Sequence, residues 1–354
     1  MRILIATDAW HPQVNGVVRT LRSLAAAVES LGASIAFLTP EGMRTVALPS
    51  YPSIRLAVPP PGAVARRIEA MAPDVVHIAT EGPIGHLARR YCLRTGRRFT
   101  TSFHTRLADY AAARWPIPAD VTWGWLRWFH NAGSATMAAT PSLVDELQGR
   151  GFRKVMRWPR GVDVSLFRPR PGRDLGLPRP VFLSVGRVAV EKNLEAFLAL
   201  DLPGSKVVVG DGPALPALAA AHPEVRFLGE RHGEALAEVY AAADVFVFPS
   251  RTDTFGLVLL EALASGLPVA GLPVPATRDV VGDAPVAVLD DDLRAACLAA
   301  LDIRSEPCRA YAMTLTWEES ARRFLANLQG AGVWSPPPPA PGRREERRSH
   351  LVRA

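Results

Sequence analysis

The sequence predicts an α/β chain of two doubly wound parallel-sheet domains whose strand-end loops face one cleft, and three observations carry that expectation. Short apolar runs rich in Val, Ile, Leu and Phe alternate with stretches of helical composition long enough to serve as crossovers, as parallel pairing requires. The alternation restarts after a Pro- and Arg-rich linker at Phe167–Pro180. A length of 354 residues at 48% hydrophobic content is ample for two cores of ordinary size.

In the first half, Arg2–Thr7 reads as a buried strand, and the loop from Asp8 to Gly16 leads into a helix over about Val17–Leu31 that Gly32 stops. Ile35–Leu38 is the next strand, and the proline-bearing stretch Thr45–Val58 is less regular. Ala63–Ala72 is a helix, Asp74–Ile78 a strand, Ile84–Thr95 a basic helix and Phe99–Phe103 a strand ending at His104. Val121–Ser134 is an aromatic-rich helix, its Trp123–Trp128 cluster reading as core more than as membrane anchor, and Thr136–Ala139 resumes the sheet.

In the second half, Val181–Val185, Lys206–Val209, Val225–Leu228, Val245–Phe248 and Leu267–Ala270 supply five strands, with helices between most of them. A final helix over about Trp317–Leu328 precedes a tail, 331–354, whose proline and charge content cannot bury a core and which is expected to be disordered.

The net charge of +7 divides unevenly. Residues 1–170 carry 22 Lys+Arg against 11 Asp+Glu, residues 171–330 carry 14 against 21, and the tail carries 5 against 2. A basic first half suits an anionic partner, such as a phosphate-bearing acceptor or an anionic membrane surface. Nucleic acid is not expected, because the second half is acidic and no recognisable binding module accompanies the cations. Cys92, Cys297 and Cys308 are too scattered for a disulfide framework or a zinc site and fit a reducing compartment. The strand-like opening MRILIAT, and apolar runs well short of the ~20 residues a span needs, point to a cytoplasmic protein, soluble or peripheral on the inner face of the membrane.

The densest chemical signal lies in Val245–Pro268. Between Thr254 and Thr277 the only charged side chain is Glu261, set among leucines, valine and alanines. A lone carboxylate is costly to bury unless it is paired or hydrogen-bonded. Glu261 therefore reads either as a solvent-facing helix residue or as a cleft residue that accepts ligand hydroxyls. Asp253 at the preceding loop favours the cleft, as do Thr254, Phe255 and Gly256, whose amides stand at a helix start and can face an anion. Arg187 and Lys192 follow a strand and can neutralise a diphosphate. His104, at a strand end, can hydrogen-bond a sugar hydroxyl or a reacting group. Gly16 lets the backbone at a helix start approach a phosphate, and Gly210–Pro213 forms another strand-end loop at the cleft. Asp290, Asp291 and Asp292 are consecutive, point different ways, and read as a polar helix start instead of a metal site.

Together, NGV at Asn15–Val17, SFHT at Ser102–Thr105, GVDVSLF at Gly161–Phe167, GRVAVEKN at Gly186–Asn193, GDGP at Gly210–Pro213 and the unit from Asp253 to Glu261 resemble the retaining GT-B glycosyltransferases of family GT4. The resemblance runs to about Leu328, and SRTDTFGLVLLEAL is similar to the branch holding GDP-mannose-dependent α-mannosyltransferases and the sulfoquinovosyl transferases of glycolipid synthesis. It implies two Rossmann-like domains, an acceptor-side one over 1–166, to which the helix 317–328 returns, and a nucleotide-sugar-binding one over 167–316.

The resemblance further implies a metal-independent hexosyltransferase with no cofactor, moving a hexose, mannose from GDP-mannose, to a lipid, glycolipid or glycan acceptor with retention. Glu261 would hold the donor ribose. Asp253, where Glu is the family's pattern, would hold the sugar hydroxyls. Arg187 and Lys192 would stabilise the diphosphate, with Gly16 and the loop Thr254, Phe255, Gly256 and Leu257 completing the cradle. His104 would contact the sugar, and Val209–Gly212, including Gly210 and Gly212, would line the base pocket with Phe227–Glu230. A UDP-sugar donor, or a non-catalytic sugar-nucleotide-binding protein on the same fold, remains an alternative.

Overall fold

The computed structural model describes residues 1–11, 15–48, 51–109 and 117–335. Its first sheet is parallel throughout and has the order β2-β1-β5-β6-β7-β8, from β1 (Arg2–Ala6), β2 (Ser34–Leu38), β5 (Val75–Ile78), β6 (Phe99–Ser102), β7 (Thr136–Ala138) and β8 (Val155–Arg157). β1, β5 and β6 are buried along almost their whole length, as unbroken apolar runs covered by helices on both faces must be. Between β2 and β5, the stretch expected to be less regular forms an antiparallel hairpin of β3 (Arg44–Leu48) and β4 (Tyr51–Val58).

The second sheet is also parallel, with the order β11-β10-β9-β12-β13-β14. Its strands are β9 (Val181–Val185), β10 (Ser205–Val209), β11 (Arg226–Phe227), β12 (Val245–Phe248), β13 (Val269–Gly271) and β14 (Ala287–Leu289). Two of these strands, β8 in the first sheet and β14 in the second, are not among those the sequence predicts. Each sheet is therefore six-stranded.

In both sheets the strand order reverses beside a central strand, β1 next to β5 and β9 next to β12. Chain leaving adjacent strands in opposite lateral directions opens a crevice at their carboxyl ends, where ligands of such sheets bind. The loops after β1, β9 and β12 hold Gly16, Arg187 and Asp253, so topology places them at these crevices.

The two domains are joined by chain running side by side. Val162 bridges Thr316 in parallel, and a Cβ on Gly161 would lie 2.3 Å from the Trp317 nitrogen, so only glycine fits there. The last helix, Trp317–Gly330, then packs on the first sheet, with Ala321, Phe324 and Leu328 wholly buried in one core with Ile3, Ile5, Leu21, Leu24 and Trp158. The ordered chain continues past the expected disorder boundary: Ala331 is fully buried, and Val333 and Trp334 pack on the same core. A left-handed Gly332 turns the chain there, and its carbonyl accepts from Arg98 Nη1 (2.9 Å). The remainder of the expected tail, 336–354, lies outside the described residues.

Candidate active site

The helix that carries Glu261, Leu257–Ala264, starts at Gly256, whose left-handed backbone (φ 83°) turns the chain out of the loop after β12. No side chain among the described residues caps this start. The first-turn amides are consequently donors aimed at whatever lies before the helix. Phe255 is buried beneath the loop, and Leu259 and Leu260 anchor the helix in the core. This packing turns Glu261 inward, and its side chain is only 4% exposed. Both carboxylate oxygens are engaged: Tyr240 Oη donates to Oε2 (3.1 Å), and Arg19 of the first domain forms an ion pair with Oε1. Burial pushes the Glu261 carboxyl up from its ordinary range, and the Arg19 guanidinium works against that. The solvent-facing reading of Glu261 is thereby excluded.

Asp253 and Lys192 meet at 2.5 Å, Nζ to Oδ1. The other oxygen, Asp253 Oδ2, is buried and has no hydrogen-bond partner among the described residues. Lys192 closes a single turn of 3-10 helix, Val190–Lys192, after which Asn193 adopts a left-handed conformation and donates from Nδ2 to the Pro249 carbonyl (3.0 Å). Thr252 Oγ1 donates to the Glu191 carbonyl (3.3 Å), so the β9 and β12 loops are stitched together from both sides. Arg187 leaves the same β9 loop, 36% exposed, with Glu191 Oε1 at 3.8 Å.

Gly210 and Gly212 have a specific steric duty. A Cβ on Gly210 would stand 1.8 Å from the Gly186 carbonyl oxygen, and one on Gly212 would stand 2.3 Å from that of Val188. Their absent side chains let the β10 loop lie backbone to backbone against the Arg187 loop, with Gly186 N donating to Val209 O and Val188 N to Asp211 O (each 2.9 Å). Gly210 N in turn donates to Gly229 O (2.9 Å), bringing the Phe227–Glu230 segment alongside. From the first domain, Gly16 begins the Gly16–Glu29 helix, whose first amides, Val17 and Val18, are capped by Asn15 Oδ1 (3.0 Å each). A Cβ on Gly16 would lie 3.9 Å from Leu257 Cδ1, so the helix starts of the two domains face each other closely.

His104 stands where the sequence puts it, after β6, and its carbonyl accepts from Thr254 Oγ1 (2.9 Å) across the cleft. Its ring is held within the first domain. Arg160 Nη2 lies 3.3 Å from Nδ1, and since arginine only donates, that nitrogen accepts and Nε2 carries the proton toward Ser102 Oγ (2.8 Å). Ser102 then donates to His77 Nε2 (3.1 Å), and His77 Nδ1 to Thr100 Oγ1 (2.8 Å). Burial first, and Arg160 next, push the His104 imidazole well below its ordinary range, so the ring is neutral. Arg160 itself is 4% exposed, lies over the Trp158 ring at 4.1 Å and is lowered by burial to about 9.

Sequence reasoning missed Arg19, Tyr240 and Arg160. The cost of the isolated Glu261 signals that a donor and a cation must reach it, but nothing in the sequence says which residues supply them. Asp292 does cap a helix, accepting from the amides of Arg294 (3.0 Å) and Ala295 (3.1 Å). Cys92, Cys297 and Cys308 are buried free thiols.

The assembled fold is shared with solved glycosyltransferase structures of the GT-B type. Sucrose-phosphate synthase from Thermosynechococcus elongatus superimposes with a TM-score of 0.74 at 18% identity, over 93% of this chain and 98% of that one. Anabaena HepE in complex with UDP and glucose does so with a TM-score of 0.69 at 15% identity, over 92% and 99%. In sequence, a GDP-mannose-dependent alpha-mannosyltransferase of Mycobacterium tuberculosis is 31% identical over 310 residues, 79% of this chain and 81% of that protein. The sulfoquinovosyl transferase SQD2 of Arabidopsis thaliana is 29% identical over 260 residues, 68% of this chain and 50% of that protein. With residues 14–166 matching the profile of Glycosyltransferase Family 4 and residues 179–303 that of Glycosyl transferases group 1, the chain belongs to glycosyltransferase family 4.

Proposed function

We propose that this enzyme transfers mannose from GDP-mannose to a hydroxyl of a lipid-linked or glycan acceptor, with retention and without a metal ion. The observation that carries the reading is the split carboxylate of Asp253, one oxygen on Lys192 and the other buried and without a partner among the described residues, at the crevice between β9 and β12. An acceptor-only group of that kind is satisfied by a sugar hydroxyl, while the neighbouring Lys192 and Arg187 are positioned for the diphosphate to which the sugar is attached.

In the step proposed, the acceptor oxygen bonds to the anomeric carbon as the bond from that carbon to the diphosphate oxygen breaks. The electron pair leaves with the diphosphate. The acceptor proton passes to a phosphate oxygen on the same face, so no carboxylate pair of the glycosidase type is needed. Negative charge grows on the diphosphate, and Arg187, Lys192 and the uncapped helix start are the fixed groups that lower the barrier there. His104, neutral and fully hydrogen-bonded, acts through its position beside Thr254 and not as a proton donor.

The relatives named for GDP-mannose support that donor over a UDP-sugar. A donor screen decides it. Release of GDP from GDP-mannose, with stabilisation against heat by GDP and not by UDP, is expected; turnover of UDP-glucose alone would replace the donor. The acceptor side is proposed to work at an anionic membrane surface. No described helix is long and apolar enough to cross a membrane, and exposed Leu93 (51%), Val121 (62%) and Trp128 (54%), the last contrary to the core reading of its cluster, share two helices of the first domain with exposed Arg90, Arg94 and Arg127.

A further inference from the structure

The ion pair between Arg19 and Glu261 occupies the carboxylate on which the donor's ribose is proposed to rest. We propose that Arg19 is an internal competitor for the ribose, which the nucleotide must displace before the donor can seat. The inference rests on the reading of Glu261 as the ribose-binding residue.

The geometry gives Glu261 one open approach. Tyr240, wholly buried, reaches Oε2 from within the second domain, whereas Arg19, 39% exposed, reaches Oε1 from the first domain. Arg19 stands one turn after Gly16, where the two helix starts come together. The guanidinium thus spans the gap through which a ribose diol would arrive. Arg19 and a ribose hydroxyl are both donors, and they compete for the one oxygen, Oε1, of a carboxylate that is only 4% exposed and has its other oxygen on Tyr240.

Exchange is physically permitted because each partner has an alternative. The ribose hydroxyls satisfy the carboxylate that Arg19 leaves, and the partly exposed guanidinium, which stays charged in any setting, returns to solvent. The sign of the effect follows. Removing Arg19 takes away a partner that stabilises only the state before binding and strands a buried carboxylate that the ribose then satisfies, so nucleotide affinity rises. An arginine that bound the diphosphate would have the opposite effect.

Calorimetric binding to wild type, Arg19→Gln, Arg19→Lys and Glu261→Gln tests this with three probes: the tighter-binding of GDP and UDP, its 2′,3′-dideoxy analogue, and inorganic pyrophosphate. Arg19→Gln is expected to bind the full nucleotide about fivefold more tightly, the equivalent of about 1 kcal/mol, with the dideoxy analogue and pyrophosphate unchanged. Arg19→Lys, which keeps the cation, should stay near wild type. Unchanged affinity of Arg19→Gln for the full nucleotide, or weakened binding of all three probes, would overturn the proposal. Glu261→Gln reports on the underlying reading separately: it should weaken the full nucleotide and spare the dideoxy analogue, and equal binding of both by Glu261→Gln and wild type would remove the ribose role itself.

Discussion

Lys192 Nζ and Asp253 Oδ1 are 2.5 Å apart, which makes one unit of two residues that the sequence assigned to different parts of the donor. The cation meant for the diphosphate also holds the carboxylate meant for the sugar. Lys192→Ala is therefore expected to lower kcat/KM by more than loss of a charge at the phosphate alone, and Arg187→Ala by about the 10²–10³-fold typical of one missing donor to a developing anion. The double variant Lys192→Ala/Asp253→Asn should fall short of the sum of its singles, since the two side chains share an interaction. Steady-state kinetics check this, and near-wild-type rates in both alanine variants would end the diphosphate assignment.

Activity is expected to survive a chelator. In the proposed arrangement Arg187, Lys192 and helix amides meet the phosphate charge, and transition-state stabilisation would then not require a divalent ion. Turnover after dialysis against EDTA measures this directly. Loss of activity restored by magnesium or manganese would defeat the expectation.

Membrane binding is expected to depend on some arginines of the Pro83–Thr95 helix and not on others. Arg90 and Arg94 are exposed, whereas Arg89 is 8% exposed, donates to the Trp128 and Phe129 carbonyls (3.1 Å each) and lies 3.8 Å over the Trp128 ring. Arg90→Glu/Arg94→Glu should reduce co-sedimentation with anionic vesicles by about 1 kcal/mol per arginine removed and leave melting unchanged. Arg89→Glu should lower the melting temperature instead. Equal partition of wild type to neutral and anionic vesicles would favour a soluble acceptor.

Stability is expected to fall on acidification in a window set by buried imidazoles. Burial, with Arg160 and His130 nearby, lowers His77 to about 3, and His104 lies well below its ordinary range. In the unfolded chain both titrate near ~6.5, so below that value the unfolded state binds more protons. The stabilisation is complete above the unfolded value and is lost as pH falls toward the folded ones, at up to about 1.4 kcal/mol per pH unit for each ring. Urea midpoints at about pH 7.5 and about pH 5.5 measure the slope, which His77→Gln should reduce. An unchanged slope in that variant would count against His77 as a source.

What could be read from the sequence followed the range over which each signal acts. β1, β9 and β12 are continuous apolar runs long enough to be seen alone. β8 and β14 are three residues each, and VMR or AVL carries no period to detect. In the β3–β4 hairpin, the prolines of the sequence argue against strands, yet Arg44–Leu48 pairs antiparallel with Tyr51–Val58 through a register shift at Ala47/Leu48. Local motifs fixed Arg187, Lys192 and Asp253, because strand-end loops stay near the cleft whatever the details. Arg19 was invisible since its partner is 242 positions away, and no pattern around residue 19 differs from an ordinary helix. The two-sided engagement of His104 likewise depends on Arg160, brought in by the strand of chain that crosses between domains.

The return of the Trp317–Gly330 helix to the first sheet sets the order in which the protein can be completed on the ribosome. Ile3, Ile5 and Leu21 are synthesised early, but Ala321, Phe324 and Leu328, which cover them, emerge only after the entire second domain. The earliest-made half of the chain is thus the last to be sealed, and it must wait with an uncovered apolar face while its neighbour folds. A stop codon a few dozen residues from the end would leave every residue of the cleft translated and still deprive the first domain of its closing wall.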